Sequence, residues 1–111
     1  MKKSIKQQIL EHLKSGFTLT YGQANTITGS QSGYRRLQEI FKENPDKYHY
    51  IKSKSANGGM YNVFAERGNF HIMRDKYIVK AWNIFGVNDD FMKVGYKTKK
   101  EAESQIKKVV R

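Results

Sequence analysis

Apolar positions near the start of the chain recur at helical spacing. Ile5, Ile9, Leu10 and Leu13 fall on one face of a helix. Ser4 and Gln7 have capping-box spacing, and Gly16 supplies a C-terminal stop. Phe17 and Leu19 alternate with threonines in a short extended piece. Thr20 and Gln23 repeat the start signal, which predicts a short second helix over Tyr21 to Thr26 that buries Ala24 and Ile27. Thr28-Gly29 makes the turn. Ser30 is expected to cap a third helix reaching Glu43, with Tyr34, Leu37, Ile40 and Phe41 at core spacing. Asn44-Pro45-Asp46 ends it, because helical backbone does not continue easily into proline.

The period then changes. YHYIKSK, from Tyr48 to Lys54, is rich in strand formers, and Tyr61 to Ala65 reads as its returning partner. Asn57-Gly58 between them is a strong hairpin signal. Arg67-Gly68-Asn69 is read as a hinge. Beyond it, strands are expected over Phe70 to Met73, Tyr77 to Trp82 and Phe91 to Tyr96, with a turn at Arg74-Asp75 and a loop holding Gly86 and Asn88-Asp89-Asp90. Thr98 and Glu101 have capping-box spacing for a last helix over Lys99 to Val110, with Ala102, Ile106, Val109 and Val110 inward. The expectation is an α+β protein in two parts. Residues 1–66 give three helices and a β-hairpin, and residues 67–111 give a three-stranded antiparallel sheet packed on a C-terminal helix.

Charge changes the functional picture. The 111 residues carry 21 Lys and Arg against 10 acids, a net +11. Residues 1–66 hold ten basic and five acidic side chains, leaving +5, and residues 67–111 hold eleven and five, leaving +6. A disordered basic tail would concentrate the excess at one end, and 13% aromatic content also argues for a folded chain. Such a balance attracts polyanions and acidic partners. The chain has no cysteine, which excludes disulfides, thiolate catalysis and Cys-type zinc sites. The start resembles a signal peptide but lacks the apolar core, and no stretch is long enough to span a bilayer, so the expectation is a cytoplasmic, non-membrane protein.

The helix–helix–helix–hairpin order resembles a winged helix-turn-helix, in particular the small helix-turn-helix domains of phage proteins. The residues that carry the resemblance are Leu19-Thr20, Ala24, Gly29, Tyr34, Arg36, Leu37, Ile40 and Asn57-Gly58. Ala24 and Gly29 stand five apart, where the pattern usually has four, which lengthens the turn. The resemblance implies that the third helix reads DNA with its N-terminal residues. Gln31 and Arg35 then project outward to base edges, with Arg36 nearer the boundary. Ser30 and Ser32 are placed for phosphate, helped by the helix N-terminus. Lys52, Lys54 and Asn57 make backbone contacts from the wing. The alternative for Arg35 and Arg36 is an ion pair along the helix with Glu39 or Glu43.

GYKTKKEAE, Gly95 to Glu103, is similar to the strand-to-helix junction of AP2-like and integrase arm-type DNA-binding domains, which place three strands before a helix. The resemblance implies that an exposed sheet face enters a DNA groove, with Arg74, Lys76, Lys80 and Lys93 as its cations. Trp82 either stacks on a sugar or joins the core, the core being the ordinary fate of a large aromatic.

No catalytic constellation is visible. His12, His49 and His71 are isolated, and there is no H-E-x-x-H, Walker loop or G-x-S-x-G. Asp89-Asp90 reads as a solvated pair. No cofactor is implied. The leading reading is a non-enzymatic duplex-DNA-binding protein of phage or mobile-element type, acting in transcription control or as a recombination accessory, with homodimerisation left open. The alternative is a phage-encoded inhibitor, such as an anti-CRISPR protein, that binds a host protein or nucleoprotein. An exposed basic sheet face would favour the first reading, and an apolar patch with a polar rim the second. A third reading has Tyr48, Tyr50 and Tyr61 stacking on unpaired RNA bases.

Overall fold

Local chemistry starts each of the first helices. In the computed structural model, which describes residues 4–78 and 81–109, the Ser4 hydroxyl accepts the Gln7 N–H at 3.1 Å and opens α1, Ile5–Lys14. Thr20 and Gln23 form a reciprocal capping box at the head of α2, Tyr21–Thr28, satisfying two otherwise orphaned donors. Gly29 ends α2 in the left-handed conformation (φ 64°), which glycine adopts without penalty.

The third helix starts later than its sequence suggests. Ser30 is not its cap: its hydroxyl accepts the Ser32 N–H at 3.1 Å and shapes the turn. Helix α3 runs Gly33–Glu43, and Asn25 of α2 reaches across to accept the Tyr34 N–H at 3.0 Å. Glycine is needed at position 33, because a Cβ there would collide with the Ala24 carbonyl. Ile9, Leu13, Ala24, Leu37, Ile40 and Phe41 are buried where these helices meet. Ile27, expected inside, is 38% exposed, since the contact surface of α2 is centred on Ala24. Tyr34, also expected inside, is only half-buried.

Strands β1, Tyr48–Lys54, and β2, Met60–Glu66, form the expected hairpin. Leu19 joins as a bridge to Phe64, with paired backbone hydrogen bonds of 2.7 and 2.8 Å. Alternation gives the hairpin two buried faces. Tyr48 and Phe64 pack into the helical core, with Tyr50 against them, while Ile51, Val63 and Ala65 face the other way.

That second face meets the C-terminal unit. Its strands are β3, His71–Arg74, β4, Trp82–Phe85, and β5, Met92–Tyr96, paired antiparallel in the order β3-β4-β5. Helix α4, Lys99–Gln105, packs against all three. Phe70, Ile84 and Ala102 share one core cluster with Ile51, Val63 and Ala65, so the hydrophobic clusters do not divide where the chain turns at residues 67–69. The hairpin is therefore the middle layer, with helices α1 to α3 on one side and the βββα unit on the other.

Two C-terminal elements differ from expectation. The middle strand does not begin at Tyr77. The Asp75 carboxylate accepts the Tyr77 and Ile78 N–H groups at 2.7 and 2.8 Å, holding these residues in a bend, and β4 starts at Trp82. The last helix stops at Gln105. Ile106 turns extended, and Lys107–Lys108 forms β6, which pairs with His49 and Tyr50 on the open edge of β1. The Val109 N–H continues the pairing to the Tyr48 carbonyl at 3.1 Å. Covering that edge satisfies backbone groups that further helix would leave unpaired. Val110 lies outside the described residues. Trp82 packs against the second cluster, which is its core role.

Candidate nucleic-acid interface

The turn between α2 and α3 brings three of the expected residues together. Gln31 and Ser32 in the turn and Arg35 in the first turn of α3 border an open hollow of about 470 Å³, completed by Asn25 and Tyr34. Arg35 is exposed, and its Nε–H donates to the Tyr34 hydroxyl at 3.2 Å. Its guanidinium carbon lies 5.9 Å from the centroid of the same ring. The hydrogen bond and the tyrosine's charge interaction raise the Arg35 pKa above its already high value, so the side chain stays cationic. Tyr34 thus orients Arg35 across the hollow without neutralising it.

Arg36 differs. Its Nη1 pairs with Glu39 Oε1 at 2.7 Å, one turn along α3. The alternative of an ion pair along the helix therefore holds for Arg36, while no carboxylate pairs with Arg35 among the described residues. Such an exposed pair contributes less than about 1 kcal/mol to stability, yet it competes with any phosphate for the guanidinium.

The first turn of α3 offers little free backbone. The N–H groups of Gly33, Tyr34 and Arg35 bond to the Ser30 carbonyl, the Asn25 side chain and the Ser32 carbonyl. With Ser30 bonded to the Ser32 N–H, anion recognition here falls to side chains rather than to the helix terminus.

Lys52 and Lys54 are exposed on the hairpin face shared with Asn62 and Met60. Lys52 borders a second hollow, of about 690 Å³, between the head of α2 and the hairpin, where Tyr21 and Tyr61 also contribute. Asn57 is engaged in the hairpin turn: its Oδ1 accepts the Gly59 N–H at 3.2 Å and bonds to the Ser55 hydroxyl. Its role in the structure is to close the hairpin turn.

The C-terminal cations are dispersed. Arg74 and Lys76 are exposed at and beyond the end of β3. Lys93 points back to the hairpin, where its Nζ donates to the Lys52 carbonyl at 2.8 Å. Lys80 lies outside the described residues. Register explains this dispersal. Ile72, Ile84 and Lys93 are cross-strand neighbours on the inner face, as are Arg74, Trp82 and Tyr96. The opposite face is headed by Met73, Met92 and Val94, so the exposed sheet face is apolar where a basic one was expected.

Other candidates are absorbed by structure. Asp90 is exposed, as expected, but it is also a structural tie: its Oδ2 accepts the Thr18 N–H at 2.7 Å and the Thr18 hydroxyl at 3.1 Å, joining the loop before β5 to the linker before α2. A His12 ring nitrogen lies 3.0 Å from the Thr18 carbonyl. Among the described residues no three His, Cys, Asp or Glu side chains group as metal ligands, and no helix is long and apolar enough to cross a membrane. Tyr48 is buried and Tyr50 packs on Phe64, leaving Tyr61 as the exposed member of the hairpin tyrosines.

Sequence reasoning missed Asn25 and Tyr34. An Asn one turn before Gly29 is a usable signal for a side chain that caps the next helix, whereas Tyr34 sits at core spacing and reads as core. Comparison of the chain with protein-family models, curated proteins and solved structures finds no match.

Proposed function

We propose that this chain is a small non-enzymatic protein that binds duplex DNA through α3 and the β1–β2 wing, as a winged helix-turn-helix does. The observation that carries the reading is Arg35: an exposed, uncompensated guanidinium, oriented by Tyr34 beside Gln31 and Ser32 at the start of a helix. Arg and Gln are the side chains that pair with guanine and adenine edges. The order of three helices and a hairpin, the Leu19 bridge to Phe64 and the net +11 charge support the same reading. Lys52 and Lys54 supply phosphate contacts from the wing. A role in transcription control or as a recombination accessory of a phage or mobile element fits such a protein.

The test is fluorescence anisotropy with duplex DNA, single-stranded DNA and duplex RNA at two salt concentrations. Duplex DNA binding should weaken steeply as salt rises, because phosphate contacts release counterions. Arg35→Ala should weaken it by roughly tenfold or more, and Arg36→Ala by less, since Glu39 already holds that guanidinium. Absence of binding to all three near physiological salt would falsify the reading.

One observation favours a second reading, a protein-directed inhibitor of anti-CRISPR type: the apolar outer face of the C-terminal sheet.

A further inference from the structure

Strand β1 is held unequally on its two sides. β2 pairs with it along its whole length, Tyr48 to Lys54, whereas β6 covers only His49 and Tyr50. One further bond, from the Val109 N–H to the Tyr48 carbonyl at 3.1 Å, extends the β6 side. The chain enters β6 at Ile106, whose extended backbone ends α4 and whose side chain packs on the second cluster. Alternation places Lys108 on the same face as Ile106, while Val109 turns to the helical core.

His49 meets Lys108 on that face. Its cross-strand neighbours are Ala65 on β2 and Lys108 on β6, and side chains so placed are about 4.5–5.5 Å apart at Cβ. Ala65 is buried in the second cluster and offers His49 no polar group. Arg67 lies two residues beyond Ala65 and extends the ladder, its N–H on the Lys47 carbonyl at 2.8 Å, so it shares the His49 face. The neighbouring carboxylates are engaged elsewhere. Glu66 stands opposite Tyr48 on the other face, 4.0 Å from Lys47 Nζ, and Asp46 lies 4.0 Å from Lys108 Nζ. The half-buried ring is thus left with two cations, and burial, Arg67 and Lys108 all lower its pKa.

A neutral His49 is compatible with this setting. A protonated one adds a third positive charge, partly out of water, between the other two. β2 cannot move away, because Val63, Phe64 and Ala65 are buried in the two clusters. β6 can, since both of its lysines are exposed and its one ion pair, Lys108 with Asp46, is exposed and weak. Its departure removes Lys108 and opens the ring to water. The open form therefore binds the proton more tightly than the closed one, and acid shifts the balance toward opening.

We propose that β6 is an acid-released clip: protonation of His49 frees residues 107–109 from the edge of β1 and uncovers the Tyr48 carbonyl, while the hairpin and α4 keep their packing. The clip is closed above about pH 6.5, where an ordinary histidine is neutral, and opens progressively below it. It does not depend on whether the Arg35 hollow binds DNA.

The test is hydrogen exchange of the full chain, followed by NMR between about pH 7 and pH 5, each rate corrected for intrinsic exchange at that pH. Protection of the Val109 N–H should fall at least about threefold over this range, with Ile40 in α3 and Val63 in β2 unchanged. His49→Gln should keep Val109 protection constant. Lys108→Gln, at an exposed position, should raise the His49 pKa in an imidazole titration and reduce the acid sensitivity, so the result does not rest on one variant's folding. Val109 protection that ignores pH in the wild type, or falls equally in His49→Gln, overturns the proposal. So does an equal loss at Val109, Ile40 and Val63, because acid would then be unfolding the whole chain. Sensitivity retained in His49→Gln and abolished in Asp46→Asn would assign the effect to the Lys108–Asp46 pair instead.

Discussion

The N-terminal helices with their hairpin and the C-terminal βββα unit carry almost equal excess charge, +5 and +6, and dispose of it differently. In the first, the apolar residues of α1 and α3 go inward, and Arg35 is left exposed beside polar neighbours. In the second, Lys93 turns inward to a backbone carbonyl while Met73, Met92 and Val94 face solvent. Net charge therefore measures attraction to a polyanion in general. Which cation is available for recognition depends on where the nearest carboxylate or carbonyl lies. Glu39 occupies Arg36, Glu43 occupies Lys6 at 2.5 Å, and the Lys52 carbonyl occupies Lys93, whereas Arg35 is only oriented by a neutral phenol.

The comparison breaks most severely if the geometry that presents Arg35 is disturbed. Gly33→Val places side-chain atoms against the Ala24 carbonyl at the closest approach of α2 and α3. Backbone cannot yield there cheaply, so the expected loss is about 3 kcal/mol or more in urea unfolding. Leu37→Ala, in the fully buried core beside it, should cost about 2–5 kcal/mol. Unchanged stability in Gly33→Val would show that the turn, rather than helix packing, sets the approach.

Next in size is the contrast between the two sets of cations. Arg35→Ala should lower duplex DNA affinity by about 1–3 kcal/mol with little change in melting temperature, because the side chain is exposed and its one contact is the exposed hydrogen bond to Tyr34. Arg74→Ala should change affinity by less than about twofold, the scale of a nonspecific phosphate attraction. Equal losses from both, measured by anisotropy at one salt concentration, would mean that the charge acts diffusely and the hollow has no special role.

The starts of α1 and α2 and the hairpin turn were legible because each is set by side chains a few residues apart, whereas the start of α3 was not, because Asn25 of the preceding helix accepts its Tyr34 N–H. Thr20 and Gln23 satisfy one another's backbone whatever the rest of the chain does, and Asn57 closes the turn in which it stands. The C-terminal errors arose where a side chain captures strand backbone or a distant edge decides. Tyr77 to Trp82 has strand composition, but Asp75 captures the N–H groups that the strand would have used, and Asn83, beyond Trp82, steadies that carboxylate at 2.9 Å. The last helix stops because the edge of β1, more than fifty residues earlier, needs a partner. For the candidate site, the outward arginine was readable from helical spacing. The apolar sheet face was not, since it depends on where β4 begins and therefore on register.

A smaller effect tests how firmly the two regions are joined. Asp90 accepts two hydrogen bonds from Thr18, and they are charge-assisted. Asp90→Ala removes both and leaves Thr18, itself buried, with unmet donors. The expected cost is about 1–2 kcal/mol. Hydrogen exchange should show faster opening at Thr18 and in the loop before β5, with α3 unaffected. Uniform acceleration across the chain would mean that the contact is part of one cooperative unit and not a local latch.

The smallest effect appears only at high pH. Tyr48 lies in the helical core beneath the hairpin, and its hydroxyl has no protein partner among the described residues. Burial pushes its pKa up to about 12, with the Glu66 carboxylate adding to the shift. An unfolded tyrosine titrates near ~10. Below that value the phenol is protonated in both states, and folding does not depend on it. Between about 10 and 12 the unfolded chain releases the proton that the folded chain retains, so stability falls as pH rises through this window. Tyr48→Phe should remove that part of the alkaline slope while leaving neutral-pH stability nearly unchanged, because the ring packing stays and the lost hydroxyl had no partner. Tyr96 is shifted in the same direction by burial and Glu101, so the mutant should retain a residual slope. Urea unfolding of both proteins at neutral pH and across the alkaline window separates the outcomes. Parallel curves would show that the Tyr48 phenol is hydrated in the folded state, and that the seam between helices and hairpin admits water.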